Sequence, residues 1–357
     1  MMLNIFTKKL DTQQQDFSPN LWRLAIRRLK EDRIAMASLF IVLCFFVMLV
    51  LSMTGLIAKD WNKEVAVSYA PPTFMDTDQK VIDRSKVIEQ STVNQSSNPI
   101  DYYGIQDPLA EDMKTIDQQL DGHLLDQQSE LKTTLPFGAD KWGQDIVLKT
   151  IKGAETSIIV GVVSALLAVI IGTFLGAIAG YFGGWVDDIL NWFYNVFTSI
   201  PYLLLVLAIA AVLQQKGILS IVLILGLTGW TGVFRLIRAE YMKHTAREYV
   251  LAAKAIGVSH ARRMFVHIFP NVSHIALVQI SILVVTFIKS EVILSFLGFG
   301  VPVGVVSWGS MLNEAQSELI LGKWWQLVAA SVAMAVLVTA FSMFTDVLRD
   351  ALDPKLK

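Results

Sequence analysis

Charge is scarce in this 357-residue sequence, where Asp, Glu, Lys and Arg make up 17% of the residues against the roughly 25% of an ordinary soluble domain. Cysteine is nearly absent. The single Cys44 excludes an internal disulfide and a thiolate metal cluster, and inside an apolar run it reads as a small hydrophobic filler. No G-x-x-x-x-G-K-[ST] stretch occurs, so the chain is not expected to hydrolyse ATP. The Ser and His residues lack a triad-like setting, and no cofactor is expected in the chain. What abounds is apolar: 54% of the residues are hydrophobic and the mean hydropathy is +0.51. That balance belongs to an integral membrane protein.

A helix needs about 20 mostly apolar residues to cross the hydrocarbon of a bilayer, and six segments qualify, at 34–58, 156–180, 189–213, 218–237, 275–297 and 327–348. The first is too long, and too far from the start, for a cleaved signal peptide, and is expected to stay as an anchor. Lys and Arg favour the cytoplasmic side. Lys8, Lys9, Arg23, Arg27, Arg28, Lys30 and Arg33 precede the first span; Arg235, Arg238, Lys243, Arg247, Lys254, Arg262 and Arg263 lie at or between the fourth and fifth. Lys216 and Lys323 stand alone between the third and fourth and between the fifth and sixth spans. Both termini are therefore expected in the cytoplasm. The layout is a cytoplasmic tail (1–33), a first span (34–58), an external insert (59–152), a core with the remaining five spans (153–348) and a cytoplasmic tail (349–357). The insert is acidic, and its runs "STVNQSSNP" and "DQQLDGHLLDQQSE" read as a loop and a short polar helix.

Gly172, Gly176, Gly180 and Gly184 recur every four residues, a small-residue row that predicts a close helix seam. Gly183 and Gly184 also predict a turn, with Asp187 and Asp188 in water beyond it. Lys289 and Glu291 are anomalous, because an uncompensated charge in a span costs roughly 2.5 to 3.5 kcal/mol on insertion scales. Two residues apart, they point away from each other. Each is a candidate for a translocation path or an interhelical contact, or for snorkelling to the surface.

The stretch "EYVLAAKAIGVSHARRMFVHIFPN", 248–271, sets cations and helix-breaking residues between two greasy segments. From Met242 to Ile256, helical spacing puts Met242, Ala246, Tyr249, Ala253 and Ile256 on one stripe with Lys243, Arg247 and Lys254 opposite. Gly257 ends this short amphipathic helix, and Pro270 precedes the next span. Such a helix lies on an anionic membrane surface or docks in the groove of a cytoplasmic partner. His260, His267 and His274 recur every seven residues, but Pro270 interrupts a common helix and no Cys or carboxylate joins them as metal ligands. Periodicity leaves the first two readings open.

The same stretch resembles the cytoplasmic EAA loop, here 240–271, of permease subunits of ATP-binding-cassette importers. Ala252, Ala253, Gly257 and Pro270 match its pattern, and "HIFPN" is similar to the peptide and nickel branch. The likeness extends through "LPFGADKWGQDIV", "GYFGGWVDD", "SIPYLLLVLAI", "LSFLGFGVP", "SWGSML" and "LRDALDPK", in the order of that branch's second membrane subunit. The resemblance implies an all-α, six-span, MetI-like type I importer permease with a cytoplasmic coupling helix. It also implies a second homologous permease, two cytoplasmic ATPases that bind ATP and magnesium, an extracytoplasmic binding protein and a di- or oligopeptide substrate, in a bacterial inner membrane. Met242, Ala246, Tyr249, Leu251, Ala252, Ala253, Ile256, Gly257 and Pro270 become the candidate ATPase-coupling residues.

The chain departs from that branch in places. Leu251 stands where the wider family has Glu, Gln144 and Glu155 stand where Arg is usual, Lys289 matches no family feature, and the external insert is longer than usual. Glu291 matches an acidic position of the branch. The nearest rival is an importer for nickel or another small solute. From a different class, an ion-coupled secondary transporter would use Lys289 and Glu291 for coupling. Gly257→Asp separates the classes: it uncouples an importer and leaves an ion-coupled carrier working.

Overall fold

The computed structural model describes residues 32–75 and 131–352. Both polar runs of the insert and most of the two expected tails lie outside these residues. Contacts divide the chain into two units, one of residues 1–59, 150–316 and 330–357, the other of 60–149 and 317–329.

The larger unit is helical. Helix α1, Arg33–Met53, opens on Asp32, whose Oδ1 accepts from the amides of Ile34 (2.8 Å) and Ala35 (3.4 Å), two donors that the first helical turn leaves unpaired. It continues with α2 (Ile146–Phe182), α3 (Gly184–Thr198), α4 (Tyr202–Leu213), α5 (Ile218–Thr228), α6 (Thr231–Thr245) and α7 (Glu248–Ala255). A turn at His260–Arg262 and a π-helical segment, Arg263–Ile268, lead into α8 (Phe269–Phe296), followed by α9 (Trp308–Ile320) and α10 (Trp325–Leu352). No β-strand forms among the described residues.

Five helical stretches are long and apolar enough to cross a membrane: Arg33–Met53, Ile146–Phe182, Ile218–Thr245, His260–Phe296 and Trp325–Ala351. The third expected span, 189–213, is not one straight helix. It is the pair α3 and α4, bent by 82°. Pro201 has no N–H to continue a helix and pushes the residue before it out of the helical region. Other bounds move as well. Helix α2 begins at Ile146, inside the stretch assigned to the external insert, and α10 reaches Leu352, past the expected end of the core.

The glycine row makes the seam between α2 and α6. A Cβ on Gly172 would stand 2.7 Å from the Trp230 carbonyl oxygen, one on Gly176 2.7 Å from that of Phe234, and one on Gly180 would collide with that of Arg238. The partners also advance by four residues, so the two backbones meet along matched rows. Gly184 is not in the seam. Gly183 and Gly184 have φ of +63° and +52° and turn the chain from α2 into α3, a conformation glycine adopts without steric cost.

In the smaller unit, isolated bridges join Ala66 to Lys132, Pro72 to Leu135 and Ala139 to Asp145. Buried Asp140 organises the turn after Ala139: its Oδ1 accepts from the amides of Trp142 and Gln144, and its Oδ2 accepts from Lys149 Nζ at 2.6 Å. Trp325 Nε1 donates to the Ala139 carbonyl at 2.7 Å. Gln144, where a cation was the expectation of the resemblance, donates through Nε2 to the Asn62 carbonyl at 3.3 Å.

Candidate functional site

The basic loop folds as a hinged elbow. A single helix over 242–256 was expected, but α6 stops at Thr245 and α7 restarts at Glu248, with Arg247 extended (φ −78°, ψ 145°) between them. That break resets the helical phase. Val250 and Ala253 turn inward (3% and 6% exposed), and Val250 joins Val233, Ile237 and Tyr241 of α6, Val169 and Ala177 of α2, and Met264, Ile268 and Val272 further along the chain. Ala253 therefore belongs to the core and not to a docking face. The outward apolar residues are Met242, Tyr249, Leu251 and Ile256, the last two 51% and 81% exposed, with Ala246 and Ala252 exposed among them.

The end of α7 is a Schellman turn: the Gly257 amide donates to the Lys254 carbonyl (3.1 Å) and that of Val258 to the Ala253 carbonyl (3.0 Å), with Gly257 left-handed at φ +81°. Pro270 comes just after the π-helical segment, inside the helical stretch His260–Phe296; it does not interrupt a common helix as the sequence suggested, although it has no N–H to give to the preceding turn. Tyr249 braces the elbow. Its hydroxyl lies 2.8 Å from His244 Nδ1 and accepts from Asn271 Nδ2 at 3.5 Å, tying α6, α7 and α8 together. Burial pushes the Tyr249 hydroxyl above its ordinary value, against the opposing effects of the Asn271 bond and the Arg247 charge. His260, one of the three spaced histidines, lies 3.0 Å from the Tyr181 hydroxyl through Nδ1 and 3.3 Å from Arg263 Nη2 through the same atom.

Asp187 was expected in water. It is clamped instead by Arg238, whose Nε and Nη2 donate to its two carboxylate oxygens at 2.5 and 2.6 Å, while Asn191 donates to Oδ1 at 2.8 Å. This two-pronged pair fixes the start of α3 to α6. Nothing in the local pattern relates residues 51 apart, so sequence reasoning missed it.

Glu291 and Lys289 part company. Lys289 is exposed and has no ion-pair partner among the described residues. Glu291 has no exposed surface within this chain, and its carboxyl bonds to a neighbouring helix. One carboxyl oxygen accepts from Ser157 of α2 and the other from Ser295, each at 2.7 Å. The Ser157 hydroxyl in turn accepts from the Trp308 amide at 3.3 Å, and Trp308 Nε1 donates to the Thr150 carbonyl at 3.1 Å. Ser307 and Ser310 cap α9 reciprocally, each hydroxyl accepting from the other's amide, in the manner of a capping box. The carboxyl thus joins α2, α8 and the start of α9. Glu155, where the resemblance led to Arg, accepts from Lys152 at 2.7 Å and from Ser52 of α1 at 2.5 Å.

Several membrane-crossing helices, joined by an elbow whose outer face is apolar and rimmed by cations, are the build of a multi-pass membrane subunit made to work against a partner. The chain belongs to the family described as the binding-protein-dependent transport system inner membrane component, matched over residues 172–357. Residues 20–72 match the N-terminal transmembrane domain of oligopeptide transport permease C. The chain is similar to the dipeptide transport system permease protein DppC of Bacillus subtilis, with 34% identity over 251 residues, 69% of this chain and 78% of the relative. It is also similar to the oligopeptide transport system permease protein OppC of the same organism, with 37% identity over 221 residues, 62% and 72% of the two chains. Among solved structures, a chain of the MetNI methionine ABC transporter in inward-facing conformations aligns with a TM-score of 0.46 and 15% identity, over 58% of this chain and 97% of that one. The family match bears out the expected class: a permease subunit of an ABC importer.

Proposed function

We propose that this permease carries di- or oligopeptides across a bacterial inner membrane, paired with a second homologous permease, driven by two cytoplasmic ATPases and loaded by an extracytoplasmic binding protein. Peptide cargo is the reading that the two Bacillus relatives support. Both termini and the elbow face the cytoplasm, as the placement of Lys and Arg supports. ATP and magnesium are bound by the partner subunits.

The observation that carries the reading is the two-sided nature of α7. Its inner face is buried, with Val250 in the core shared by α2, α6 and α8 and Ala253 buried beside it, while Leu251, Ala252 and Ile256 are exposed among the described residues. A helix only eight residues long cannot hold itself in water. Packed as it is, it is a rigid knob. Closure of the ATPases moves the knob, and the shared core passes the displacement to the spans, exchanging inward for outward access.

The experiment is to tag the chain, extract it gently from its native membrane and identify what copurifies, then measure ATP-dependent uptake of labelled peptides and of nickel. A second six-span permease, ATPases and peptide uptake are expected. Recovery of the chain alone, with ion-driven uptake needing no ATP, overturns the proposal.

A further inference from the structure

The larger unit carries a second feature, outside the elbow. Between α1 and α10 runs a groove of about 570 Å³ whose wall includes Ile34, Ile41, Val336, Thr339 and Met343, with Arg33 as its charged member. The hydroxyl of Ser38, also in the wall, donates to the Ala35 carbonyl at 2.9 Å. The interior therefore suits hydrocarbon and suits polar cargo poorly.

Arg33 is exposed and has no ion-pair partner among the described residues. The carboxylate next to it in sequence, Asp32, holds the first amides of α1 through Oδ1. From Arg33 to Ile41 the wall rises about 12 Å at 1.5 Å per residue, a little less than half of the roughly 30 Å hydrocarbon thickness. The groove is thus one leaflet deep, with a cation at its mouth. Arg23, Arg27, Arg28 and Lys30 precede that mouth in the sequence, and a cluster of four to eight such residues beside a span attracts anionic headgroups.

We propose that this groove is a binding site for an anionic glycerophospholipid of the surrounding bilayer, with one acyl chain along α1 and α10 and the phosphate against Arg33. Hydrocarbon wall, leaflet depth and a cation with no ion pair among the described residues together specify a charged amphiphile. A lipid without a phosphate would leave Arg33 unanswered, a zwitterionic one would bring its own cation beside the phosphate, and a free phosphate would leave the groove unfilled.

The test is native mass spectrometry of the assembled transporter, purified and titrated with dioleoylphosphatidylglycerol or dioleoylphosphatidylcholine in mixed micelles. The wild type should retain phosphatidylglycerol in preference to phosphatidylcholine. Arg33→Gln should weaken phosphatidylglycerol retention about fivefold, the effect of one basic side chain near an anionic headgroup, and weaken phosphatidylcholine, whose choline ammonium already offsets its phosphate, distinctly less, so that the preference narrows. Ala37→Trp, from an exposed position in the wall, should fill the groove and reduce both. Size-exclusion profiles matching the wild type show that both variants are assembled. Equal retention of the two lipids by the wild type, or an unchanged preference in Arg33→Gln, overturns the proposal. So does cross-linking of Ala37→Cys to another protein chain in native membranes, which would make the groove a protein interface.

Discussion

Replacing Glu291 by Ala should loosen the joint of α2, α8 and α9 without abolishing insertion. Two buried hydroxyls, Ser157 and Ser295, lose the oxygens they donate to at 2.7 Å. Hydrogen bonds between membrane helices average about 0.6 kcal/mol and reach about 1.7 in double-mutant cycles. Two of them, with a small cavity left behind, put the loss at about 1–3 kcal/mol. Glu291→Gln keeps one accepting oxygen and adds donors that either serine can accept, so most of the stability should remain. The assay is thermal unfolding of the assembled complex in nanodiscs, with peptide uptake measured beside it. A double-mutant cycle of Glu291→Ala with Ser157→Ala isolates the pair and should return a coupling of about 0.6–1.7 kcal/mol. Strict additivity in that cycle, or a Gln variant as unstable as the Ala variant, would refute the reasoning.

Three further outcomes follow from the packing. Gly176→Leu forces a side chain into the seam where a Cβ alone would stand 2.7 Å from the Phe234 carbonyl oxygen; a loss of at least about 1–3 kcal/mol should appear as a lower melting temperature and poorer membrane yield. Leu251→Asp and Ala253→Leu should divide by mechanism. The first, on the open face of α7, should leave the melting temperature near wild type and abolish ATPase copurification; the second, in the core, should lower the melting temperature, and the opposite pattern would reverse the two faces. Asp187→Ala should cost between the roughly 0.5 kcal/mol of an exposed pair and the roughly 3 kcal/mol of a buried one, because its side chain is 14% exposed and that of Arg238 26%. The exchange Asp187→Arg with Arg238→Asp should recover part of that loss in the same melting assay.

The spans were legible because burial in hydrocarbon imposes a length, and a run of about 20 apolar residues is visible without knowing its neighbours. Direction was not. Pro201 stands in plain view within "SIPYLLLVLAI", yet composition does not say whether a proline kinks a span or turns it through 82°. The EAA loop was legible as a family pattern, while its faces were not: the interruption at Ala246 and Arg247 shifts the phase of everything after it, so the stripe drawn from Met242 put Ala253 on the wrong side. Pairings distant in sequence were beyond reach. Glu291 stood out as an acid in an apolar run, but its partner Ser157 lies 134 residues away, and an isolated serine in a helix gives no sign of what it will meet. The glycine row succeeded because its signal is local to one helix, and it failed only at Gly184, where the helix had already ended.

The bend between α3 and α4 says something about solitude. Hydrocarbon has no donors or acceptors to lend, so backbone that leaves the helix must find its own partners or stay away from lipid. Part of that need is met at home: Thr198 Oγ1 donates to the Tyr194 carbonyl at 3.1 Å and Ser199 Oγ to that of Val196 at 2.7 Å. Yet Ser199, Ile200 and Pro201 are all exposed on the single chain, and so are Trp185, Ile189, Trp192 and Val196 along α3. A surface that joins broken backbone to large aromatic side chains is unfit to face lipid and unfit to face water. On the proposed pairing with a second permease, this surface is where that subunit would sit, and a cell that makes this chain in excess of it should be found degrading the surplus.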